Sequence, residues 1–218
     1  VAHELNNPLT VIKGYVELIL GHHRLDASTR AGLEKVAAEG QRAAKIVRSF
    51  LAFAREKPLE RRAVDLHEVL RRVVELRQFE LRVMGIELVL ELEPQAPYVL
   101  ADADQIQQVL LNLVNNALHA MADLPGPSRL TLRTKHQGQQ VIVHVEDTGQ
   151  GVPDHLVARI FEPFFTTREV GAGTGLGLSI CHAIMLEHAG RISYQRAPGG
   201  GACFVLEFPL MTNPVSDP

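Results

Sequence analysis

The chain predicts an α+β fold: an N-terminal antiparallel helical hairpin that forms a dimeric four-helix bundle, then an α/β sandwich with one mixed sheet under helices. Residues 5–54 carry two heptad seams, later segments alternate in the period-2 pattern of strands, and helices and strands are segregated rather than strictly alternating.

Leu5, Leu9, Ile12, Val16 and Ile19 recur at spacings 4, 3, 4, 3, and Leu33, Val36, Gly40, Ala43, Val47, Phe50 and Ala54 at 3, 4, 3, 4, 3, 4. Between them GHHRLDAS, Gly21 to Ser28, breaks the pattern, with Asp26 or Ser28 as N-cap of the second helix. Two helices alone leave such seams exposed, so a second copy is expected to complete the bundle and make a homodimer. KPLERRA, Lys57 to Ala63, is polar, contains Pro58 and reads as a hinge. Leu66 to Val83 is helical, Ile86 to Glu93 alternates as a half-exposed strand, and Tyr98 to Ala101 adds a short one. Asp102 with Gln105 resembles a capping box that opens a helix from Gln105 to Met121. Leu130 to Lys135 and Gln140 to Glu146 form a hairpin around Gln137 to Gln139. A helix at Leu176 to His188 follows, then strands Ile192 to Arg196 and Ala202 to Phe208 around Pro198 to Gly201, and a frayed tail, TNPVSDP.

Composition narrows the function classes. With 218 residues, 46% hydrophobic and 22% charged, the chain suits two globular domains rather than a disordered or fibrous protein. A net charge of -3 and no basic run interleaved with aromatics argue against a nucleic-acid partner. Cys181 and Cys203 stand apart without C-x-x-C spacing, which reads as two reduced, buried thiols and a cytoplasmic location. No apolar run approaches ~20 residues, so no direct membrane contact is expected of this stretch. The chain opens at Val1 inside a helical pattern, and we expect an upstream sensor module, with or without a membrane anchor, to precede it.

GAGTGLGLSI, Gly171 to Ile180, places glycines at every second position from Gly171 to Gly177 and then enters a helix. Such a segment brings backbone N–H groups to phosphate oxygens, and a helix N-terminus favours anions. In QIQQVLLNLVNNALHAM, Asn112, Asn116 and His119 share one face, opposite a stripe of Ile106, Val109, Leu110, Leu113, Val114 and Ala117. A face of amides on a buried helix calls for a polar ligand. Asp147-Thr148-Gly149-Gln150-Gly151 ends a strand; it suits a plain turn, or a carboxylate that accepts the exocyclic amine of adenine. IFEPFFTTR gathers Phe161, Phe164 and Phe165, either as satellite core or as the fastening of a lid over Thr166 to Thr174, with Arg168 facing phosphate. Gly177-Leu178-Ser179 lacks the lysine of a P-loop, and no β-α-β unit surrounds the glycines as a dinucleotide fold requires.

The asparagine helix, DTGQG, the phenylalanine cluster and GTGLGLS, in this order, resemble the ATP-binding domain of sensor histidine kinases, within the gyrase, chaperone, kinase and mismatch-repair ATPase superfamily. VAHELNNPLT, Val1 to Thr10, resembles the phosphoacceptor box of the same kinases, and HELNNPL with EPFFTT resembles their nitrogen-sensor-like branch. His3 and Asn7 share a helix face at i, i+4, Glu4 adjoins the imidazole, and Pro8 removes a backbone donor nearby. Zinc chemistry of the H-E-x-x-H type is excluded because position 7 is asparagine. The resemblance implies a hairpin at 1–57, a linker at 58–64, an ATP-binding domain at 65–211 and a tail at 212–218.

It further implies ATP and Mg²⁺ as cofactors, with Asn116 the principal Mg²⁺ ligand supported by Asn112, and His119 where a lysine or other polar residue approaches phosphate. Asp147 reads adenine; Gly149, Gly151, Gly173, Gly175 and Gly177 shape the pocket; Thr174, Arg168 and the glycine-box amides, with Leu176 among them, hold phosphates. His3 is the nucleophile, Glu4 orients its ring, and Asn7 orients water on a phosphorylated partner. That partner is the receiver domain of a response regulator, docking around Lys13 to Leu20 and Ala31 to Val36. The related ATP hydrolases carry a glutamate base for water four residues before the metal-binding asparagine, the place of Asn112 here. An amide takes no proton from water at neutral pH, so kinase chemistry is expected over hydrolysis. A non-catalytic dimeric scaffold is the third reading, weakened by the intact boxes.

Overall fold

The computed structural model describes residues 2–21, 25–53, 60–95, 98–122, 124–168 and 173–211, and within the first two stretches leaves aside the side chains of 2–9, 42 and 45–53. The chain divides into two compact units, residues 1–57 with 162–176, and 58–161 with 177–218.

In the first unit α1, Ala2–Leu20, and α2, Ala27–Phe53, pack along each other. Leu20 accepts a hydrogen bond from Arg30, whereas Ile12 lines a groove with Lys35, Val36, Glu39 and Gly40, so the helices run antiparallel. Asp26 caps α2: its Oδ1 accepts the Thr29 N–H at 2.9 Å and its Oδ2 the Thr29 hydroxyl at 2.6 Å, bonds that hold its carboxyl below the ordinary aspartate value. Of the α1 seam Val16 is buried, but Ile12 is 45% and Ile19 38% exposed, and Val36 of α2 is 47% exposed. The hairpin alone does not cover its apolar surface.

The second unit holds a five-stranded mixed sheet and a two-stranded one. β1, Arg62–Asp65, pairs antiparallel with β3, Tyr98–Ala101, placing Val64 beside Val99. The strand thus begins inside the stretch read as a hinge, and beside the single sheet expected there is a second, small one. Its paired residues lie from 33 (Asp65 with Tyr98) to 39 (Arg62 with Ala101) positions away, four residues are too few to show alternation, and long-range pairing decides the matter. In the larger sheet β2, Ile86–Glu91, runs parallel to β4, Ser128–Gln137. β5, Gln140–Asp147, β7, Ala202–Pro209, and β6, Arg191–Arg196, follow antiparallel, in the order β2-β4-β5-β7-β6. Gly138, at φ 63, makes the β4–β5 turn.

One sheet face carries Leu130, Leu132, Val141, Val143, Val145, Leu206 and Phe208, all at most 1% exposed. Against the sheet pack α3, Leu66–Val83, α4, Ala103–Met121, and α5, Gly177–Glu187. The α4 stripe read from the sequence, Ile106, Val109, Leu110, Leu113, Val114 and Ala117, is buried to 2% exposure or less. Six such side chains contribute on the order of 10 kcal/mol of transfer free energy, enough to fix which face of α4 is left for chemistry. A 3-10 helix, Asp154–Arg159, which periodicity does not reveal, leads from the Asp147 turn toward Phe161. Among the described residues no helix is long and apolar enough to cross a membrane.

Candidate nucleotide site

Two helices and a strand end bring the predicted residues of the second unit together. The start of α4 is fixed by Asp102, whose Oδ1 accepts the N–H groups of Asp104 at 3.0 Å and Gln105 at 3.2 Å. The reciprocal half of the expected capping box is not made. Asp102 N–H goes instead to Nε2 of His188 at 3.0 Å, whose Nδ1 faces the Ile184 carbonyl at 2.8 Å, and Gln105 Oε1 is buried without a partner. Accepting at Nε2 and donating at Nδ1 sets His188 as the Nδ1–H tautomer, and it links the start of α4 to the end of α5.

The amide face follows two turns along. Asn112 donates Nδ2–H to the Gly177 carbonyl at 3.4 Å, binding α4 to the first residue of α5. Gly177 opens the helix one residue after the expected start. Asn115, beside Asn116, accepts Nε–H of Arg77 from α3 at 2.8 Å, and its carbonyl meets Nδ1 of His119. His119 is exposed, Asn112 and Asn116 half-buried. Donation from Nδ1 leaves Nε2 of a neutral His119 as an acceptor. Below Asn112 lies Cys181, wholly buried, its Sγ 3.7 Å from the Val109 carbonyl; burial pushes the thiol up to about 12. Cys203, also buried, is pushed up to about 11 by burial and Glu146. Both are free, unreactive thiols in the described structure.

Asp147, at the end of β5, is 3% exposed. Its Oδ1 accepts Gly149 N–H at 2.8 Å and Ala202 N–H at 3.1 Å. Burial raises its carboxyl above the ordinary aspartate value, and the two backbone bonds work against that rise. With both donors on Oδ1, the other oxygen is not spent on them. The surrounding glycines are required sterically: a Cβ on Gly149 would stand 2.7 Å from Ala120 Cβ, and one on Gly151, at φ 69, would stand 2.7 Å from the Gly200 carbonyl oxygen. A Cβ on Gly201 would come within 2.0 Å of the Asp147 carbonyl oxygen. Gly201, read from the sequence as part of a hairpin turn, and Ala202, read as the start of a strand, are thus parts of this site. Nothing in the sequence around Ala202 signals a carboxylate 55 residues earlier.

The segment 162–176 has its own internal geometry. Phe164 adopts φ 66, strained for a side-chain-bearing residue, and its carbonyl carbon lies 2.3 Å from where a Cβ on Gly175 would stand. A Cβ on Gly173 would fall 2.8 Å from Thr166 Oγ1 and 3.2 Å from Arg168 Cδ, so those side chains would have to shift to admit it. Thr174 Oγ1 accepts Leu176 N–H at 3.4 Å, Thr166 Oγ1 accepts Arg168 N–H at 3.2 Å, and burial lowers the Arg168 pKa. Phe164 is 61% exposed and Phe165 half-buried, whereas Phe161, in the second unit, lies against His182 with ring centres 5.7 Å apart. Gly171 lies outside the described residues, as do the side chains of His3, Glu4 and Asn7, whose backbone falls in α1.

A buried acceptor at a strand end, a helix face of amides and glycine positions that leave backbone accessible suit a purine nucleotide better than a metal ion alone. Comparison with known proteins agrees. Residues 101–212 match the family of histidine kinase-, DNA gyrase B- and HSP90-like ATPases, and residues 1–58 match the His Kinase A (phospho-acceptor) domain. The chain is 35% identical, over 97% of its length, to the sensor kinase CckA of Brucella abortus (strain 2308), and spans 24% of that protein. It superposes on full-length ShkA in complex with AMPPNP with a TM-score of 0.74 and 30% identity, over 97% of this chain and 45% of ShkA. With histidine kinase ThkA in complex with the response regulator TrrA the TM-score is 0.70 and the identity 32%, over all of this chain and 61% of ThkA. A phospho-acceptor module followed by an ATPase-type domain, each matched in sequence and in fold, places this chain in the sensor histidine kinase family.

Proposed function

We propose that the chain is the catalytic core of a sensor histidine kinase that transfers the γ-phosphoryl group of ATP to His3 and then to an aspartate on a response regulator. The observation that carries the nucleotide half is Asp147, buried and oriented by Gly149 and Ala202, with the amide face of α4 in the same unit. The phosphoacceptor half is supported by the match over residues 1–58, which includes His3. AMPPNP in ShkA and TrrA on ThkA are chemistries of those proteins that favour the same substrates here.

In this reading Asp147 accepts the exocyclic amine of adenine, and Gly149, Gly151, Gly173, Gly175 and Gly177 leave room for the nucleotide. Thr174, Arg168, His119 and the backbone at Leu176 approach the phosphates, and Phe161, Phe164 and Phe165 belong to the lid and its base. Asn116, with Asn112, holds Mg²⁺, which neutralises polyphosphate charge when bound. His3 attacks through its neutral ring nitrogen: the phosphorus–nitrogen bond forms, the bond to the β-phosphate oxygen breaks and ADP leaves. Glu4 orients the ring and stabilises its developing charge, while Asn7 holds water for hydrolysis of the receiver aspartyl phosphate. The exposed seam of α1 and α2 supports a homodimer, with 1–57 as the hairpin and a nucleotide-binding domain that takes in β1 from Arg62, so that the linker read at 58–64 shortens to 58–61. A cytoplasmic setting, an upstream sensor module and the nitrogen-sensor-like branch complete the proposal.

The metal assignment is open to a direct test. Asn116→Ala should weaken Mg²⁺-dependent ATP binding by about tenfold or more and depress phosphoryl transfer, whereas His22→Ala and His23→Ala should do neither. Equal losses in all three variants would show that the constellation is misassigned.

A further inference from the structure

The amide face of α4 is short of positive charge, because Ala103–Met121 contains no lysine or arginine. His119 spends Nδ1–H on the Asn115 carbonyl. A permanent cation from α3, itself paired with Glu80, reaches Asn115 beside this face. Arg77, with a side chain 26% exposed, donates Nε–H to Asn115 Oδ1 at 2.8 Å. Its Nη1 is held on its own helix, 3.4 Å from Glu80 Oε1 and 3.2 Å from the Leu76 carbonyl. An ordinary surface ion pair accounts for the Glu80 contact, but it leaves the bond across to α4 unexplained. Because the guanidinium is anchored at Nη1, its Nε–H acts as a strut from α3 to the turn of α4 that carries Asn115, Asn116 and His119. A lysine cannot reproduce this, having no planar fork with which to reach both helices.

We propose that Arg77 is a positioning residue of the nucleotide site. Through Asn115 it fixes the turn that presents Asn116 and His119, and it places a permanent positive charge on the polyphosphate flank of α4. The inference rests on the ATP reading above. It separates two halves of the ligand: Asp147 governs the adenine end, and the Arg77–Asn115 strut governs the phosphate and metal end. Loss of the strut should therefore weaken MgATP while sparing adenosine, a split that general loosening of the fold does not produce.

The test is calorimetric titration of MgATP and of adenosine into the unsubstituted chain, Arg77→Gln, Arg77→Lys, Asn115→Leu and the Arg77→Gln/Asn115→Leu double variant. Arg72→Gln, on the exposed side of α3, is the control, and thermal unfolding checks each fold. Arg77→Gln should weaken MgATP about tenfold, the scale of one charge-assisted hydrogen bond. It should also raise the Mg²⁺ concentration for half-saturation and leave adenosine affinity unchanged. Asn115→Leu should match it, the double variant should be no weaker than either single one, and Arg77→Lys should fall between. If Arg77→Gln fails to fold, Arg77→Lys and Asn115→Leu decide the question by the same split. MgATP binding unaltered in Arg77→Gln, equal loss of adenosine and MgATP, or additive losses in the double variant would each overturn the inference. MgATP binding absent from the unsubstituted chain overturns the nucleotide reading itself, whereas binding intact there and silent in Arg77→Gln removes only the role of Arg77.

Discussion

Asp147 is the residue at which the fold and the proposed choice of ligand meet. A carboxylate 3% exposed is costly unless hydrogen bonds hold it, and here Gly149 and Ala202 both donate to Oδ1. In the proposed reading the hold on adenine lies in the ionised form, since protonation turns one of the two acceptor oxygens into a donor. Burial raises the carboxyl pKa, so acidification reaches Asp147 before an exposed aspartate. ATP affinity should accordingly fall as pH drops from about 7 toward about 4, while the Asp147→Asn variant should bind about 1 to 3 kcal/mol more weakly at neutral pH and follow a flatter profile. Titration of ATP across that range checks it; identical profiles in the two proteins would remove Asp147 from adenine recognition. Asp147 itself is legible in the sequence because a strand runs into D-x-G-x-G. Its supports are not: Gly201 and Ala202 reach it through strand pairing, and Arg77 reaches Asn115 through helix packing, contacts that no local spacing encodes.

At the scale of elements, α3 and α4 are the most readable parts. α3 is bounded as expected, at Leu66–Val83, because Asp65 accepts the His67 and Glu68 N–H groups and the periodicity is long. The apolar stripe of α4 is buried as read, whereas its capping box is only half formed, because tertiary structure offered Asp102 N–H a better acceptor in His188. β1 is the least legible element, being four residues long with a distant partner. On α1 the proposed reading assigns two tasks to residues within one helical turn. Transfer from ATP requires His3 and a group to manage its proton, whereas hydrolysis of an aspartyl phosphate requires only a water held in line. Asn7→Ala should lower dephosphorylation of the cognate receiver and leave autophosphorylation measurable, and Glu4→Ala should do the reverse. Following both reactions separately in each variant is the check, and the opposite pattern would show that this division of labour is wrong.

For the whole molecule, sheet and helices place two histidines where charge is unwelcome. His67, 4% exposed, meets Thr134 Oγ1 through Nε2 at 2.9 Å, and burial lowers its pKa. His144 has a buried Nδ1 without a partner, and burial together with Arg133 and Lys135 lowers its pKa as well. With folded values below the unfolded one, near ~6.5, the unfolded chain gains protons first on acidification, so stability is full above that value and lost as pH falls. Asp147 works in the opposite direction, in the lower carboxylate range. Thermal midpoints should therefore drop between about pH 7.5 and about pH 5.5, and a His67→Gln/His144→Gln protein should lose most of that slope; an unchanged slope would assign it to other groups. The chain spans about a quarter of the length of CckA, and the phosphoryl transfer to His3 proposed for it needs only the residues of this chain. Incubation with γ-labelled ATP and Mg²⁺, followed by acid and base treatment, tests it most directly. Acid-labile, base-stable label that vanishes in His3→Gln while ATP binding persists is the expected result. Label retained in His3→Gln, or ATP bound with no label transferred to the unsubstituted chain, would contradict it.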